Sequence, residues 1–232
     1  MSGQDPRRDR RRALVALALL APVPSLGVAA AMVVAPGPVG QAVFTAAKVW
    51  LVAFPILWHL AVDRRPPSWS PPNRGGLGVG VVTGLAAAVV IAGTAWAAGI
   101  FRADMSALAG EAEAMGLGTP GAFLLAAAGW TFVNSLVEEF VYRWFVLSRC
   151  ETLMPRPAAV VASAAIFTAH HVIAISTYLP WGLTVLASFG VFAAGVLWAV
   201  LYARYRSIWP PWVSHVLADV AIFWVGWVVL FG

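Results

Sequence analysis

Seven apolar stretches of about 20 residues each dominate this sequence and leave little of it for anything else. They fall at about 13–35, 40–62, 77–100, 121–147, 157–178, 181–202 and 209–231. A run of that length matches the ~30 Å hydrocarbon core of a bilayer when wound as a helix. Inside lipid the backbone must satisfy its own hydrogen bonds, which a helix does within one segment. The expected fold class is therefore all-α: a polytopic membrane protein, a bundle of about seven transmembrane helices. Composition agrees. The 232 residues are 61% hydrophobic and 11% charged, against roughly 25% charged in soluble domains. The single cysteine, Cys150, excludes an internal disulfide and a cysteine-based metal cluster.

The arginines orient the bundle. Residues 1–12, 63–76, 148–156 and 203–208 carry most of them. These segments are alternate links, so all lie on one side, and the positive-inside rule makes that side cytoplasmic. The N-terminus is then inside and the C-terminus outside. The net charge of +5 marks cytoplasmic loops and does not call for a nucleic-acid partner. The basic start ahead of an apolar run resembles a secretory signal, but the rest of the chain is membrane, and an uncleaved first span is preferred. Residues 101–120, with Arg102, Asp104, Glu111 and Glu113, read as a short helix lying at the interface. Lys48 and His59 sit near opposite ends of the second run and read as structural, snorkelling to an interface. Trp50, Trp69, Trp209 and Trp212 lie near predicted span ends, as an aromatic belt would. An Ala- and Arg-rich chain suggests a GC-rich bacterial genome, hence the inner membrane as its location.

Charges at membrane depth cost about 2.5–3.5 kcal/mol each at a helix centre, and here they are concentrated. The fourth run ends in WTFVNSLVEEFVYRWFVLSRC, with Glu138, Glu139 and Arg143. The fifth holds His170 and His171, the seventh His215 and Asp219. Glu139 and Arg143 are four apart and share a helix face, as an ion pair would. Glu138 points about 100° away and is left to face something else, with no evident helical partner. His215 and Asp219 also share a face. At about 1.5 Å per residue, the two glutamates lie roughly 12–14 Å from the cytoplasmic end of their helix. His171 lies about 21 Å, His215 about 9 Å and Asp219 about 15 Å from theirs. Three polar helices at overlapping depth suggest one shared cavity, lined also by Asn134 and Tyr142. A carboxylate with imidazoles there can activate water and stabilise an oxyanion. The same side chains could hold zinc or a related ion, although no His-Glu-x-x-His helix is present.

These residues, in this order, resemble the CAAX prenyl proteases and bacteriocin-processing enzymes, the CPBP or Abi family of intramembrane endopeptidases. The family's Glu-Glu-x-x-x-Arg matches Glu138, Glu139 and Arg143. Its Phe-x-x-x-His matches Phe167 and His171, and its His-x-x-x-Asn/Asp matches His215 and Asp219. The resemblance covers about 120–231. It implies a helical bundle with a cavity open to the cytoplasm, with Glu138 and His171 activating water. It implies that His215 and residue 219 stabilise the oxyanion, that Glu139 pairs with Arg143 in support, and that Phe167 packs near the cavity. It also makes His171 the working imidazole, with His170 facing a neighbouring helix or capping a polar contact. Where some members carry Asn, this chain carries Asp219. That side chain donates only when protonated; otherwise it orients His215 or ligates a metal. Both a metal-dependent and a metal-free glutamic mechanism are open, with Glu138, His171, His215 and Asp219 as the candidate ligands. The division expected is a basic N-terminus (1–12), N-terminal helices and loops (13–120) and a catalytic core (121–232). The implied substrate is a membrane-associated protein or peptide cleaved near its terminus.

Two readings of other classes use intramembrane charge as well. One is a non-catalytic immunity or regulatory scaffold of the same fold. The other is an ion or proton transporter, which expects broken helices or repeats about the midplane; the sequence shows no convincing repeat.

Overall fold

The computed structural model describes residues 5–66, 68, 70–104 and 106–232. Trp69 and the first four residues of the basic segment lie outside the described residues. Those described are almost wholly helical, with no strand among them. Seven helices are long and apolar enough to cross a membrane: Pro6–Val34, Pro38–Ala61, Leu77–Ala97, Pro120–Leu153, Arg156–Ser176, Trp181–Tyr205 and Trp209–Phe231. They are the first to seventh spans below. Within 101–120 a short helix is present, Ser106–Ala114.

The boundaries have local causes. The first span begins at Pro6, well before the apolar run, so most of the basic segment is helical. Asp5 caps it, its carboxylate accepting from the Arg7 amide at 3.0 Å, and Pro6 sits where no amide hydrogen is required. Thr119 and Pro120 open the fourth span the same way, the Thr119 hydroxyl accepting from Ala122. Some departures from regular winding were not visible in the spacing. The fourth span contains π-helical stretches at Gly129–Asn134 and Glu139–Leu147, so the 100° step assumed past Glu139 does not hold there. Such wide turns gather at functional sites.

By contact the chain groups into two compact units. The first comprises residues 1–71 and 140–204, hence the first, second, fifth and sixth spans and the end of the fourth. Prolines 22 and 24 interrupt the first span's hydrogen-bond ladder, and the Trp50 indole donates to the Leu19 carbonyl at 3.0 Å near that break. Trp50 is thus a helix-to-helix contact here, beyond any belt role. His59 does not snorkel freely: it lies 3.3 Å from Asp63, which Arg149 also pairs with, and its ring packs on Trp144 at 4.8 Å. Lys48 lies over the Phe44 ring at 5.5 Å.

The second unit comprises residues 72–139 and 205–232, hence the third span, the short helix Ser106–Ala114, the start of the fourth span and the seventh. Its third and seventh spans lie very close. A β-carbon at Gly80 would fall 2.3 Å from the Pro210 carbonyl oxygen, and one at Gly84 2.8 Å from Leu217. Small residues permit this approach in lipid, where packing rather than water exclusion joins helices. The Thr83 hydroxyl donates to Ser214 at 3.2 Å across the same seam. Phe123 meets Phe223, Trp227 and Phe231 edge-on or tilted, with centroids 5.6–6.2 Å away. The seventh span, which carries His215, is therefore held from two sides.

Candidate functional site

In the second unit, four of the expected groups meet. His215 is 4% exposed and Glu139 fully buried, and His215 Nδ1 lies 3.0 Å from Glu139 Oε1. A carboxylate accepts, so Nδ1 carries the hydrogen and donates. The other imidazole nitrogen, Nε2, is 3.8 Å from Glu138 Oε2 and 3.6 Å from Asp219 Oδ1. Those separations exceed hydrogen-bond length but couple the groups electrostatically in a dry interior. The expected shared face of His215 and Asp219 is present. The geometry also constrains chemistry. With Nδ1–H given to Glu139, His215 can offer a second N–H to an oxyanion only as imidazolium.

Glu138 has a helical partner, contrary to expectation. Asn134 Nδ2 donates to Glu138 Oε1 at 2.9 Å. The two are four residues apart, the spacing at which helical side chains meet, so that signal was in the sequence. One turn earlier, Ser135 bonds back to the Thr131 carbonyl, and the Trp212 indole donates to Ser135 Oγ at 3.1 Å. Trp212 therefore ties the seventh span to the fourth at this site.

In the first unit the other candidates lie together. Phe167 is 1% exposed, Tyr142 2% and Arg143 fully buried. The Arg143 guanidinium lies over the Phe167 ring at 4.9 Å and the Trp198 ring at 5.8 Å, contacts that stabilise a desolvated cation by roughly 2 kcal/mol. His171 Nδ1 is 2.9 Å from the Phe167 carbonyl. A carbonyl can only accept, so Nδ1 is the protonated nitrogen, and in neutral His171 the lone pair is on Nε2. That is the nitrogen a base or a metal ligand uses. The His171 ring also packs on Phe167, centroids 4.6 Å apart. Tyr142 lies 3.3 Å from His170 through its hydroxyl, and Ser163 donates to the Tyr142 carbonyl at 3.0 Å. Ser163 and Trp198 were missed and Trp212 was read only as a belt residue: each acts across helices far apart in sequence, and no local spacing marks such a contact.

The candidates thus form two sets. Glu138, Glu139, His215 and Asp219 meet within the second unit; Arg143, Phe167 and His171 meet within the first. The Glu139–His215 contact resembles the way metal-ligating histidines are oriented, a carboxylate holding the far nitrogen of the imidazole.

Residues 120–221 match the family model described as Rce1-like, type II CAAX prenyl endopeptidase. No curated protein and no solved structure matches the chain.

Proposed function

Through residues 120–221 the chain belongs to the Rce1-like family of type II CAAX prenyl endopeptidases, and from that premise we propose a residue-level mechanism. Glu138 is the general base that takes a proton from the attacking water. His171, with its Nε2 lone pair, assists. His215 stabilises the oxyanion of the tetrahedral intermediate, and Asp219 orients it. Glu139 holds His215 through Nδ1 and, with Arg143, supports the site. The substrate is a membrane-associated protein or peptide cleaved near its terminus, reached from the cytoplasmic side, where the arginine-rich N-terminus also lies.

The observation that carries this reading is the His215 cluster. Four ionisable groups within a few ångströms, on apolar helices inside the matched segment, have no ordinary packing role and each costs free energy in lipid. Positioned acid–base groups contribute roughly 10²–10⁴-fold to such reactions. The test is cleavage of an internally quenched peptide ending in a farnesylated Cys-aliphatic-aliphatic-X box, with an unprenylated apolar-tail peptide alongside. Glu138→Ala and His171→Ala should each lose most turnover. Full turnover in both would end the proposed roles, and a wild type that cleaves neither peptide would favour the scaffold reading.

A second reading is favoured by Glu139, which holds His215 as metal-bound histidines are held. Glu138, His171, His215 and Asp219 would then carry zinc, which supplies Lewis acidity and an acidified water. Dialysis against a strong chelator separates the two. Undiminished cleavage supports the glutamic mechanism, and loss restored by zinc supports the other.

A further inference from the structure

His170 and His171 are adjacent in sequence, and their rings lie 4.1 Å apart at 43°. Only one of them belongs to the family's Phe-x-x-x-His. His171 gives its Nδ1 hydrogen to the Phe167 carbonyl. His170 uses the same nitrogen differently: its Nδ1 faces the Tyr142 hydroxyl at 3.3 Å. A phenol is a good donor, with a pKa near 10, and an imidazole imine nitrogen is a good acceptor. The matched direction is O–H to Nδ1, which leaves the hydrogen of neutral His170 on Nε2. Tyr142 is well placed to impose that direction. It is buried, its carbonyl is held by Ser163, and its ring lies nearly parallel to His170 (10°) and edge-on to Phe167 at 5.0 Å.

We propose that the two histidines are locked in opposite tautomers, and that His170 is a hydrogen-bond donor for the reaction, with Tyr142 as the positioning residue that makes it one. His171 presents a lone pair on Nε2, and His170 presents an N–H on Nε2. Water attack on a carbonyl uses both: the His171 lone pair assists the proton transfer assigned above to Glu138, and the His170 N–H polarises the oxygen. No covalent change at either ring is involved. The catalytic part of the proposal rests on the proteolytic reading above; the tautomer part does not.

The chain has four histidines, so ¹⁵N-histidine labelling of the full protein in detergent micelles yields a countable spectrum. Couplings between ring nitrogens and carbon-bound hydrogens tell the two neutral tautomers apart. The expected result is an Nε2–H pattern that disappears in His170→Gln, and an Nδ1–H pattern that disappears in His171→Gln. Tyr142→Phe, which removes only the hydroxyl, should turn the His170 signals into a mixed-tautomer average and leave those of His171 in place. The proposal is overturned if His170 shows Nδ1–H, or if Tyr142→Phe leaves its pattern unchanged. In turnover of the farnesylated reporter, His170→Leu should lower kcat at least tenfold with KM little changed. His170→Gln, whose amide N–H reaches the place of Nε2–H, should recover part of that loss. Equal loss in both variants overturns the donor role. A wild type that cleaves neither peptide would count against the proteolytic reading and the donor role together, and the spectrum would still decide the tautomers.

Discussion

His215 and the His170–His171 pair are imidazoles on apolar helices, yet the two units hold them by different means. Around His215 the partners are carboxylates: Glu139 at 3.0 Å, with Glu138 and Asp219 within 4 Å. Within their own unit, His170 and His171 meet a phenol, a backbone carbonyl and aromatic rings. Three acids therefore surround the His215 ring. Carboxylates thus hold the ring in one unit, and a phenol and a carbonyl fix ring hydrogens in the other.

The comparison can be attacked first where packing carries it. Phe167→Ala removes the ring that His171, Tyr142 and Arg143 all pack on. It should lower stability by about 3–5 kcal/mol, read as a fall in melting temperature of the micelle-bound protein. A small change would mean that the aromatic cage is ornamental. Glu139→Gln should cost about 1.5–3 kcal/mol by weakening a charge-assisted bond, and should slow turnover more than it shifts KM. Gly84→Leu presses on the seam with the seventh span and should cost roughly 1–3 kcal/mol. Loss of activity ahead of loss of fold there would show that the third span, outside the matched residues, sets His215 in place. Asp63→Asn, in the partly exposed His59–Asp63–Arg149 cluster, removes none of the proposed catalytic groups. It should cost under about 1 kcal/mol and leave turnover near wild type.

Much of this arrangement is legible in the chain itself. Span number and approximate limits follow from run length, because lipid thickness fixes how long an apolar helix must be. The partnership of His215 with Asp219 follows from helical spacing, and that of Asn134 with Glu138 could have been read the same way. What spacing cannot supply is the contact between distant helices. Glu139 with His215, Tyr142 with His170 and Trp212 with Ser135 are separated by 76, 28 and 77 residues, and each depends on how spans rotate about their own axes. The π-helical stretches add to the difficulty, since they reset that rotation within the fourth span without a proline or glycine signal at Glu139 to announce it.

The central claim is that Glu138 activates water, and its most direct test is turnover of the quenched farnesylated reporter by Glu138→Gln. That change keeps size and hydrogen bonding but removes the base. The account predicts an unchanged melting temperature and a rate at least about 100-fold below wild type; a folded variant within about twofold of wild type would contradict it.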